Sequence, residues 1–447
     1  MLDFFTSIDD FVWGPPLLVL LVGTGIYLTI RLGLLQIIRL PKAFKLIFAE
    51  DKGEGDISSF AALATALAAT VGTGNIVGVA TAIKTGGPGA LFWMWIAAFF
   101  GMATKYAEGL LAIKFRTLDD QGKVSGGPMY YITNGFKGKW QTIAKPLAYF
   151  FAFAGVLVAW LGIGTFSQVN SITASLQNSF DWSPKIVSVI LALITAAIIF
   201  GGIQSISKVS EKVVPFMAGL YIIAALIVIF ANFNQLFPVL EMVFQSAFTG
   251  KAAVGGFAGA TVMVAMRLGI ARGVFSNESG LGSAPIAAAA AKTEEPVEQG
   301  LISMTGTFID TIIICTLTGL AILVTGQWSG SLEGAPMTQA AFSSVFGIFG
   351  EIALTLSLVL FAFTTVLGWS YYGERCFEFI FKSTKFLSFY RLVFVIMVAL
   401  GGYLTLDVVW KIADIVNGLM ALPNLIALLV LSPIIFKETK SYFERHK

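Results

Sequence analysis

Charged side chains are scarce in this sequence. Asp, Glu, Lys and Arg make up 12% of its 447 residues, whereas hydrophobic residues make up 56%. A soluble globular domain has about 25% charged residues. Apolar runs recur along the whole chain, and each is long enough for the about 20 residues that a membrane-spanning helix needs. The sequence therefore predicts an all-α integral membrane protein. Its basic residues are spread along the chain, so they do not indicate a nucleic-acid partner.

Cysteine and histidine are also scarce. The two cysteines, Cys315 and Cys376, lie in or beside apolar runs, which does not indicate a disulfide framework. With His446 as the single histidine, little is left for a zinc or haem site, and we expect no organic cofactor. An HExxH pair and a GxSxG elbow are both missing, which argues against an intramembrane enzyme.

The amino-terminal residues lack the basic region of a cleavable signal peptide. They carry Asp3, Asp9 and Asp10 instead. The first apolar run, near 14–38, is also too long for a signal peptide. We therefore expect this run to remain in the protein as a membrane helix.

Apolar runs bounded by polar residues, Gly or Pro predict eleven membrane spans, near 14–38, 60–84, 88–113, 146–178, 185–206, 213–233, 254–291, 299–325, 346–374, 387–405 and 412–436. An odd number of spans places the two ends of the chain on opposite sides. Loops on the cytoplasmic side of a membrane are rich in Lys and Arg. Most of the 29 basic residues fall inside if the carboxyl terminus is cytoplasmic. This orientation leaves only a few basic residues in outside loops, namely Lys84, Lys185, Lys251 and Lys411.

Two of the predicted spans contain helix-breaking runs. The second span carries ATVGTGN at 69–75, and the seventh carries RGVFSNESGLGSAP at 272–285. Each glycine lowers helix stability by about 1 kcal/mol relative to alanine. Non-helical backbone at membrane depth persists only where protein or a cavity covers it. Gly-rich stretches also serve for close helix packing, but two breaks at matching positions favour a binding role.

The two breaks suggest an internal repeat. Without the first span, the remaining ten divide into two sets of five, and each set opens with its broken helix. An odd number of spans per set inverts one half relative to the other, which is the plan of many secondary transporters. The predicted units are an extra helix with a cytoplasmic linker, two five-helix repeats and a cytoplasmic tail, at 1–58, 59–235, 236–436 and 437–447.

Several longer runs resemble a known family. They are TVGTGNIVGVATAI, GGPGALFWMWIAAFFGMATKYAEG, GGPMYYI, RGVFSNESGLGSAPIAAAAAKT, FAFTTVLGWSYYGE and LPNLIALLVLSP. Together they span nearly the whole chain and resemble the alanine or glycine:cation symporter family, the sodium:alanine symporters. The family belongs to the group that shares the fold of the bacterial leucine transporter. The resemblance implies a multi-pass cell-membrane protein that carries alanine or glycine together with sodium by alternating access.

The resemblance also implies roles at the first break. The backbone N–H groups of Thr73 and Gly74 would hold the substrate carboxylate. Asn75 and the carbonyl group of Thr70 would face a sodium ion, the implied coupling ion. Sodium is a hard cation that favours oxygen ligands. A second cation site would be formed by carbonyl and hydroxyl oxygens, from Ala68, Val71, Thr364 and Thr365. Of these, Thr365 would also line the substrate site. The two threonines have an alternative role, hydrogen bonding to the carbonyl group one turn earlier.

Polar residues within the spans are further candidates. A buried amide needs partners, so Gln168 either contacts the substrate or makes an interhelical hydrogen bond. Ser276 and Asn277, at the second break, either contact the substrate or cap a half-helix. Asp310 lies inside the eighth span, where a carboxylate is functional by default. It is either an ion ligand or the partner of Arg272.

Aromatic residues could set the substrate size. Phe166, Phe275 and Trp369 fall near the matching pocket positions of the family and would leave little side-chain room. One methylene changes affinity by only about 0.8 kcal/mol, so strong exclusion of leucine needs a steric clash. The alternative is ordinary helix packing, because the chain has 39 phenylalanines.

Charged residues within the spans have two interpretations, a structural role for Lys105 and Glu108 and a vestibule role for Arg267 and Arg272. Lys105 and Glu108 are three residues apart and share a helix face, and snorkelling with mutual pairing explains them. Arg267 and Arg272 would guard an outer vestibule, with Glu278 or Asp414 as partners.

The remaining alternatives concern the type of transport. A proton-coupled permease would use Asp310 or Glu278 as the proton carrier, and a channel is a further possibility. The predicted partners are a small neutral amino acid and the lipid bilayer, with no protein partner evident.

Overall fold

The computed structural model of this chain describes residues 2–51, 53–249, 262–403 and 406–446. This part of the chain is almost entirely helical. Its named strands form a single antiparallel pair, Thr117–Leu118 with Val124–Ser125. Lys251 and the first residues of the span predicted at 254–291 lie outside the described residues, as do 404 and 405.

The α-helices of the amino-terminal half are Leu2–Val12, Pro15–Arg31, Leu35–Ile38, Leu40–Ile47, Ser59–Thr70, Val79–Gly86, Gly89–Lys114, Pro128–Gly135, Gln141–Leu161, Phe166–Phe180, Pro184–Ile199, Gly202–Ala231 and Phe233–Thr249. Those of the carboxyl-terminal half are Val262–Asn277, Ala284–Ala288, Pro296–Thr307, Thr316–Val324, Gly334–Phe346, Ile348–Phe381, Leu387–Leu400 and Leu406–Arg445. Two segments are π-helical, Gly74–Gly78 and Phe308–Cys315. Short 3₁₀ turns are Gly138–Trp140, Gln327–Ser329, Thr384–Phe386 and Gly401–Tyr403.

Many of these helices are long and apolar enough to cross a membrane. Within the described residues there are eight such helices, or nine if a bent pair is counted as one span. The bent pair is Ser59–Thr70 with Gly74–Gly86, whose axes differ by 52°. The apolar helix Pro184–Ile199 is shorter. The predicted class, an all-α multi-pass membrane protein, agrees with this architecture.

The first break lies between Thr70 and Gly74, within the run predicted to unwind. Its glycines allow a close approach of other segments. A Cβ atom at Gly72 would overlap the hydroxyl group of Thr365. A Cβ atom at Gly74 would lie 3.0 Å from the Cα atom of Ser276. The backbone of the first break therefore lies directly against the end of helix 262–277.

The second break lies between Asn277 and Ala284, also within its predicted run. Glu278 has a left-handed backbone with φ of 57°, and Gly280 and Gly282 have φ of 87° and 83°. Glycine adopts such angles without strain, whereas other residues do so only at a cost. Pro285 stands in the first turn of the next helix, where its missing N–H is tolerated. The two breaks thus meet in the middle of the protein, packed against helix 89–114.

A short backbone contact joins the segment before the first broken helix to the segment after the second broken helix. Ile57 pairs with Ala291 in a parallel bridge. The guanidinium group of Arg116 donates hydrogen bonds to the carbonyl groups of Ala289 and Ala291. In the same linker, Asp56 accepts a hydrogen bond from the amide of Val124 at 3.0 Å. Burial raises the pKa of Asp56, and this hydrogen bond acts in the opposite direction.

Candidate functional site

Asn75 holds the first break in shape. Its Oδ1 accepts a hydrogen bond from the backbone N–H of Gly72 at 2.8 Å. Its Nδ2 donates to Oδ1 of Asp310 at 2.7 Å and to the carbonyl group of Asp310 at 3.1 Å. The side chain is completely buried. Asn75 therefore replaces helical hydrogen bonds at the break and ties the break to the eighth predicted span.

Asp310 connects the two breaks. Its Oδ2 accepts hydrogen bonds from the hydroxyl groups of Ser276 at 2.9 Å and Thr311 at 2.7 Å. Together with Asn75 on Oδ1, these donors satisfy both carboxylate oxygens. Asp310 is fully buried in the π-helical segment Phe308–Cys315, a distortion that is frequent at functional sites. Of the two roles considered from sequence, pairing with Arg272 is wrong, because Arg272 pairs with Asp414.

Gln168 lies against the tip of the first break. Its Oε1 accepts a hydrogen bond from the backbone N–H of Thr73 at 3.3 Å. Its Nε2 and the Oγ1 of Thr73 are buried and have no hydrogen-bond partner in the described part of the chain. Buried polar atoms are almost always hydrogen-bonded. These two atoms are therefore candidates for hydrogen bonds to the polar groups of a ligand.

The predicted residues of the second break lie beside the same centre. Asn277 donates from Nδ2 to the hydroxyl group of Thr311 at 3.0 Å, and its Oδ1 accepts from the backbone N–H of Ser279 at 2.9 Å. It therefore shapes the turn that follows helix 262–277 and joins it to the π-helical segment Phe308–Cys315. Ser276 faces Asp310 and the backbone of Gly74. The structure thus brings Asn75, Ser276 and Asn277 into one polar centre.

The three aromatic candidates are all buried, with Phe166 7%, Phe275 1% and Trp369 0% exposed. The ring of Phe275 lies 3.4 Å from the Cβ position of Gly74, so it borders the first break. Trp369 donates from Nε1 to Oε1 of Glu278 at 2.9 Å. Phe166 stands at the first position of helix 166–180. Phe275 is thus the aromatic residue placed directly against the candidate substrate site.

The proposed cation ligands flank the first break. In a continuous helix the carbonyl group of Ala68 would accept from the N–H of Gly72, but that N–H donates to Asn75 instead. The hydroxyl groups of Thr364 and Thr365 both donate to the carbonyl group of Phe361, at 3.0 and 3.1 Å. This is the hydrogen bond to the preceding turn that was considered as their alternative role. A hydroxyl oxygen that donates still has lone pairs for a cation.

The remaining predicted cation ligands, Thr70 and Val71, lie at the end of helix 59–70. Thr70 donates from its hydroxyl group to the carbonyl group of Ala66 at 3.1 Å. Within the described residues, no three His, Cys, Asp or Glu side chains form a cluster that could hold a metal ion. Carbonyl, hydroxyl and amide oxygens are therefore the donor set that the first break offers.

Lys105 and Glu108 are the candidates that sequence reasoning misjudged. Snorkelling to the membrane surface is wrong, because Lys105 is only 2% exposed and Glu108 is completely buried. Glu108 accepts hydrogen bonds at Oε1 from the backbone N–H of Gly280 at 3.1 Å and from Nδ2 of Asn424 at 2.6 Å. Glu278 lies on the other side of the same break, where Ser283 donates to its Oε2 at 2.5 Å. The sequence signal that could have identified Lys105 and Glu108 as buried functional candidates is that both are charged residues within a predicted span.

Ion pairs join helix 262–277 to the amino-terminal helix and to the carboxyl-terminal helix. Arg272 forms a two-pronged contact with Asp414, at 3.0 and 2.8 Å. Asp414 was one of three partners considered for Arg272 from the sequence, beside Glu278 and Asp310. Arg267 pairs with Asp10 at 2.5 Å. Trp13 donates from its indole nitrogen to the carbonyl group of Asp414 at 2.9 Å, so the amino-terminal segment packs against this region.

Comparison with known proteins gives consistent results. A family model described as the sodium:alanine symporter family matches residues 1–447. The sodium/alanine symporter AgcS of Methanococcus maripaludis is 51% identical, over 99% of this chain and 97% of that protein. The probable sodium/glutamine symporter GlnT of Bacillus subtilis is 39% identical, over 98% of this chain and 90% of that protein.

A solved structure shares the fold. The manganese transporter of Eremococcus coleocola matches 86% of this chain and 81% of its own with a TM-score of 0.53, at 13% identity. At 13% identity this similarity shows a shared fold and nothing about the cargo of this chain.

Proposed function

This chain belongs to the sodium:alanine symporter family, and we propose that it carries small neutral amino acids, alanine and glycine, into the cell together with sodium. The contact that carries this proposal is the one from Asn75 through Asp310 to Ser276, which joins both helix breaks at the buried centre. The name of AgcS supports alanine as cargo, while that of GlnT marks amino-acid cargo as variable in the family.

The amino acid would bind at the first break. The exposed N–H groups at the start of a half-helix attract an anion, and Thr73 and Gly74 would hold the substrate carboxylate. The N–H of Thr73 now donates to Oε1 of Gln168. A carboxylate at this position would take over that bond, and Gln168 could turn its Nε2 toward the substrate. Ser276, Asn277 and Thr365 would complete the polar wall.

Sodium would bind beside the substrate. The proposed ligands are Asn75 and the carbonyl group of Thr70, with a second site formed by Ala68, Val71, Thr364 and Thr365. One charge that moves through about 100 mV supplies about 2.3 kcal/mol. An about tenfold sodium gradient adds about 1.4 kcal/mol. One sodium ion could thus sustain roughly a few-hundred-fold accumulation of substrate.

The proposed architecture places this site between two inverted halves. It consists of eleven spans, in which an extra helix with its linker, at 1–58, precedes five-helix repeats at 59–235 and 236–436. The tail at 437–447 would be cytoplasmic and the amino terminus outside. Transport would proceed by alternating access around the fixed central site.

Uptake of radiolabelled alanine into proteoliposomes tests the function. We expect saturable uptake that requires an inward sodium gradient, and we expect Asn75→Ala to abolish it. The loss would follow because Asn75 joins the break to Asp310 and offers a sodium ligand.

Asn178→Ala is the control for this test, because it changes an exposed asparagine and should leave uptake intact. Uptake driven equally well by a pH gradient in choline would instead favour the proton-coupled alternative. Absence of any amino-acid uptake by folded protein would refute the proposed cargo.

Phe275→Leu should widen the range of substrates. The ring of Phe275 borders the first break, and a smaller side chain there would relieve the clash that excludes larger amino acids. Unlabelled leucine should inhibit alanine uptake about tenfold more strongly in this variant, which corresponds to about 1.4 kcal/mol. Phe216→Leu, at a residue 65% exposed, serves as the matched control. If leucine is excluded equally by both variants, Phe275 does not set the size limit.

A further inference from the structure

Glu108 has an unusual distribution of hydrogen bonds. Both of its hydrogen-bond donors, the N–H of Gly280 and Nδ2 of Asn424, bind the same oxygen, Oε1. The other oxygen, Oε2, is buried and has no hydrogen-bond partner among the described residues. The amide of Gly282 lies near this carboxyl group but makes no hydrogen bond with Oε2. One oxygen of Glu108 thus accepts two hydrogen bonds of ordinary geometry, whereas the other accepts none among the described residues and has only the more distant N–H of Gly282 beside it.

The other two completely buried carboxyl groups among the described residues, those of Glu278 and Asp310, differ from that of Glu108. Asp310 accepts hydrogen bonds at both oxygens. Glu278 accepts from Trp369 at Oε1 and from Ser283 at Oε2. An ionised carboxylate carries negative charge on both oxygens, and each needs donors when water is excluded. The surroundings of Asp310 and Glu278 meet this requirement, whereas those of Glu108 do not.

The balance of buried charges also indicates that one carboxyl group in the core is protonated. Glu108, Glu278 and Asp310 are completely buried, and the positive charge that acts on all three is that of Lys105. If all three carboxyl groups were ionised, three negative charges would face one positive charge. Each uncompensated buried charge costs several kcal/mol. A sodium ion at the proposed site would balance one of them, and another must be neutralised by a proton.

Lys105 does not neutralise Glu108 directly. Within the described ranges, it forms no ion pair within 4.0 Å of a carboxyl group. It lines a cavity of about 20 Å³ together with Thr70, Asn277 and Gln299. A volume of about 10–15 Å³ is enough for one water molecule. This cavity is lined mostly by alanine and leucine side chains and lies between the two breaks.

We propose that Glu108 is a proton-binding site that holds the second break closed when its carboxyl group is neutral. A carboxylic acid with its hydrogen on Oε2 leaves Oε1 as a carbonyl oxygen, which accepts the two observed hydrogen bonds. Asn424 also donates to the carbonyl group of Gly280 at 2.9 Å. Glu108 and Asn424 together therefore hydrogen-bond both backbone groups of Gly280, in the middle of the second break. The titratable groups that face Glu108 are Lys105 on its own helix, Glu278 in the break, and two tyrosines, Tyr131 and Tyr372.

The proton links closure of the break to pH. When the break opens and water reaches Glu108, the ionised form becomes favourable, so closure takes up a proton. The closed state is therefore favoured at low pH and is lost as the pH rises. In this proposal the substrate binds the closed state, so the apparent alanine affinity falls with rising pH, by up to about tenfold for each pH unit. This consequence rests on the proposed function, whereas the protonation itself does not.

Infrared difference spectroscopy tests the protonation without any transport assay. Purified protein in sodium-containing buffer should show the carbonyl-stretching band of a protonated carboxylic acid at about pH 7, and Glu108→Gln should lack this band. Asn424→Ala removes one hydrogen bond from Oε1 and should shift the same band to higher frequency. A band that persists unchanged in Glu108→Gln would overturn the assignment. A wild-type protein without the band would overturn it as well.

Alanine binding at several pH values tests the link to closure. Between about pH 5 and about pH 9 the affinity of the wild type should fall, while that of Glu108→Gln should stay constant because its amide mimics the neutral acid. Glu438→Gln is the control and should behave as the wild type. Glu438 is partly exposed and pairs with Lys114, which ends the helix that carries Glu108. An unchanged pH profile in Glu108→Gln would refute the link. If neither protein binds alanine while the infrared band depends on Glu108, the proposed cargo has failed and the proton site stands.

Discussion

Asp310→Ala is expected to reduce sodium-driven alanine uptake at least about a hundredfold. The substitution removes the acceptor for Asn75, Ser276 and Thr311 at once. A buried polar group left without its partner costs about 1–3 kcal/mol. Two such groups at the substrate site are enough for a loss of about 2.7 kcal/mol, which corresponds to a hundredfold. The thiol of Cys315 also lies 3.4 Å from both Asn75 Nδ2 and Ser276 Oγ, but sulfur is a weak acceptor and does not replace the carboxylate.

Initial rates in proteoliposomes with an inward sodium gradient measure this effect. Asp310→Asn keeps one acceptor oxygen and should retain more activity than Asp310→Ala. Asp181→Asn is the matched control, because Asp181 is exposed and has a left-handed backbone that asparagine tolerates. Gel filtration and thermal melting establish that the variants are folded. If Asp310→Ala transports alanine at the wild-type rate, Asp310 does not organise the site.

The class of the protein and the positions of its breaks follow from local sequence. The glycine-rich runs of the two predicted broken spans contain the observed interruptions, because glycine and proline act on helices through the backbone alone. Asp310 stood out as a candidate because a carboxylate in an apolar run is costly to bury and rarely serves packing alone. Asn75 and Ser276 were also candidates, but their hydrogen bonds to Asp310 were not predicted, because they form only through the tertiary arrangement of three helices.

Lys105 and Glu108 show where the sequence argument failed. Their spacing places both on one helix face, but it does not tell whether that face meets lipid headgroups, water or protein. Helix 296–307 and the second break pack on this face, and both side chains are buried as a result. The same limit applies to Trp369, whose hydrogen bond to Glu278 could not be anticipated from a run of aromatic residues. The substrate and cation roles of the site residues stay predictions.

Arg272→Met is expected to destabilise the protein by about 3–5 kcal/mol. Arg272 and Asp414 form a two-pronged ion pair with side chains only 18% and 7% exposed. Removal of one member of a buried pair leaves the other as an uncompensated charge, which costs about this amount. Replacement of both members by apolar residues of similar volume is often nearly neutral. The double variant Arg272→Met with Asp414→Leu should therefore be more stable than Arg272→Met alone.

Thermal melting in detergent, for both single variants and the double variant, gives the coupling between the two residues. The pair of Arg267 with Asp10 provides the control, because its side chains are 37% and 53% exposed and exposed pairs contribute only about 0–1 kcal/mol. Arg267→Met should therefore change the melting temperature little. If the loss of stability in the double variant equals the sum of the losses in the Arg272 and Asp414 single variants, the two residues act separately. A recovery in the double variant would show that the pair itself anchors helix 262–277, and with it the second break, to the carboxyl-terminal helix.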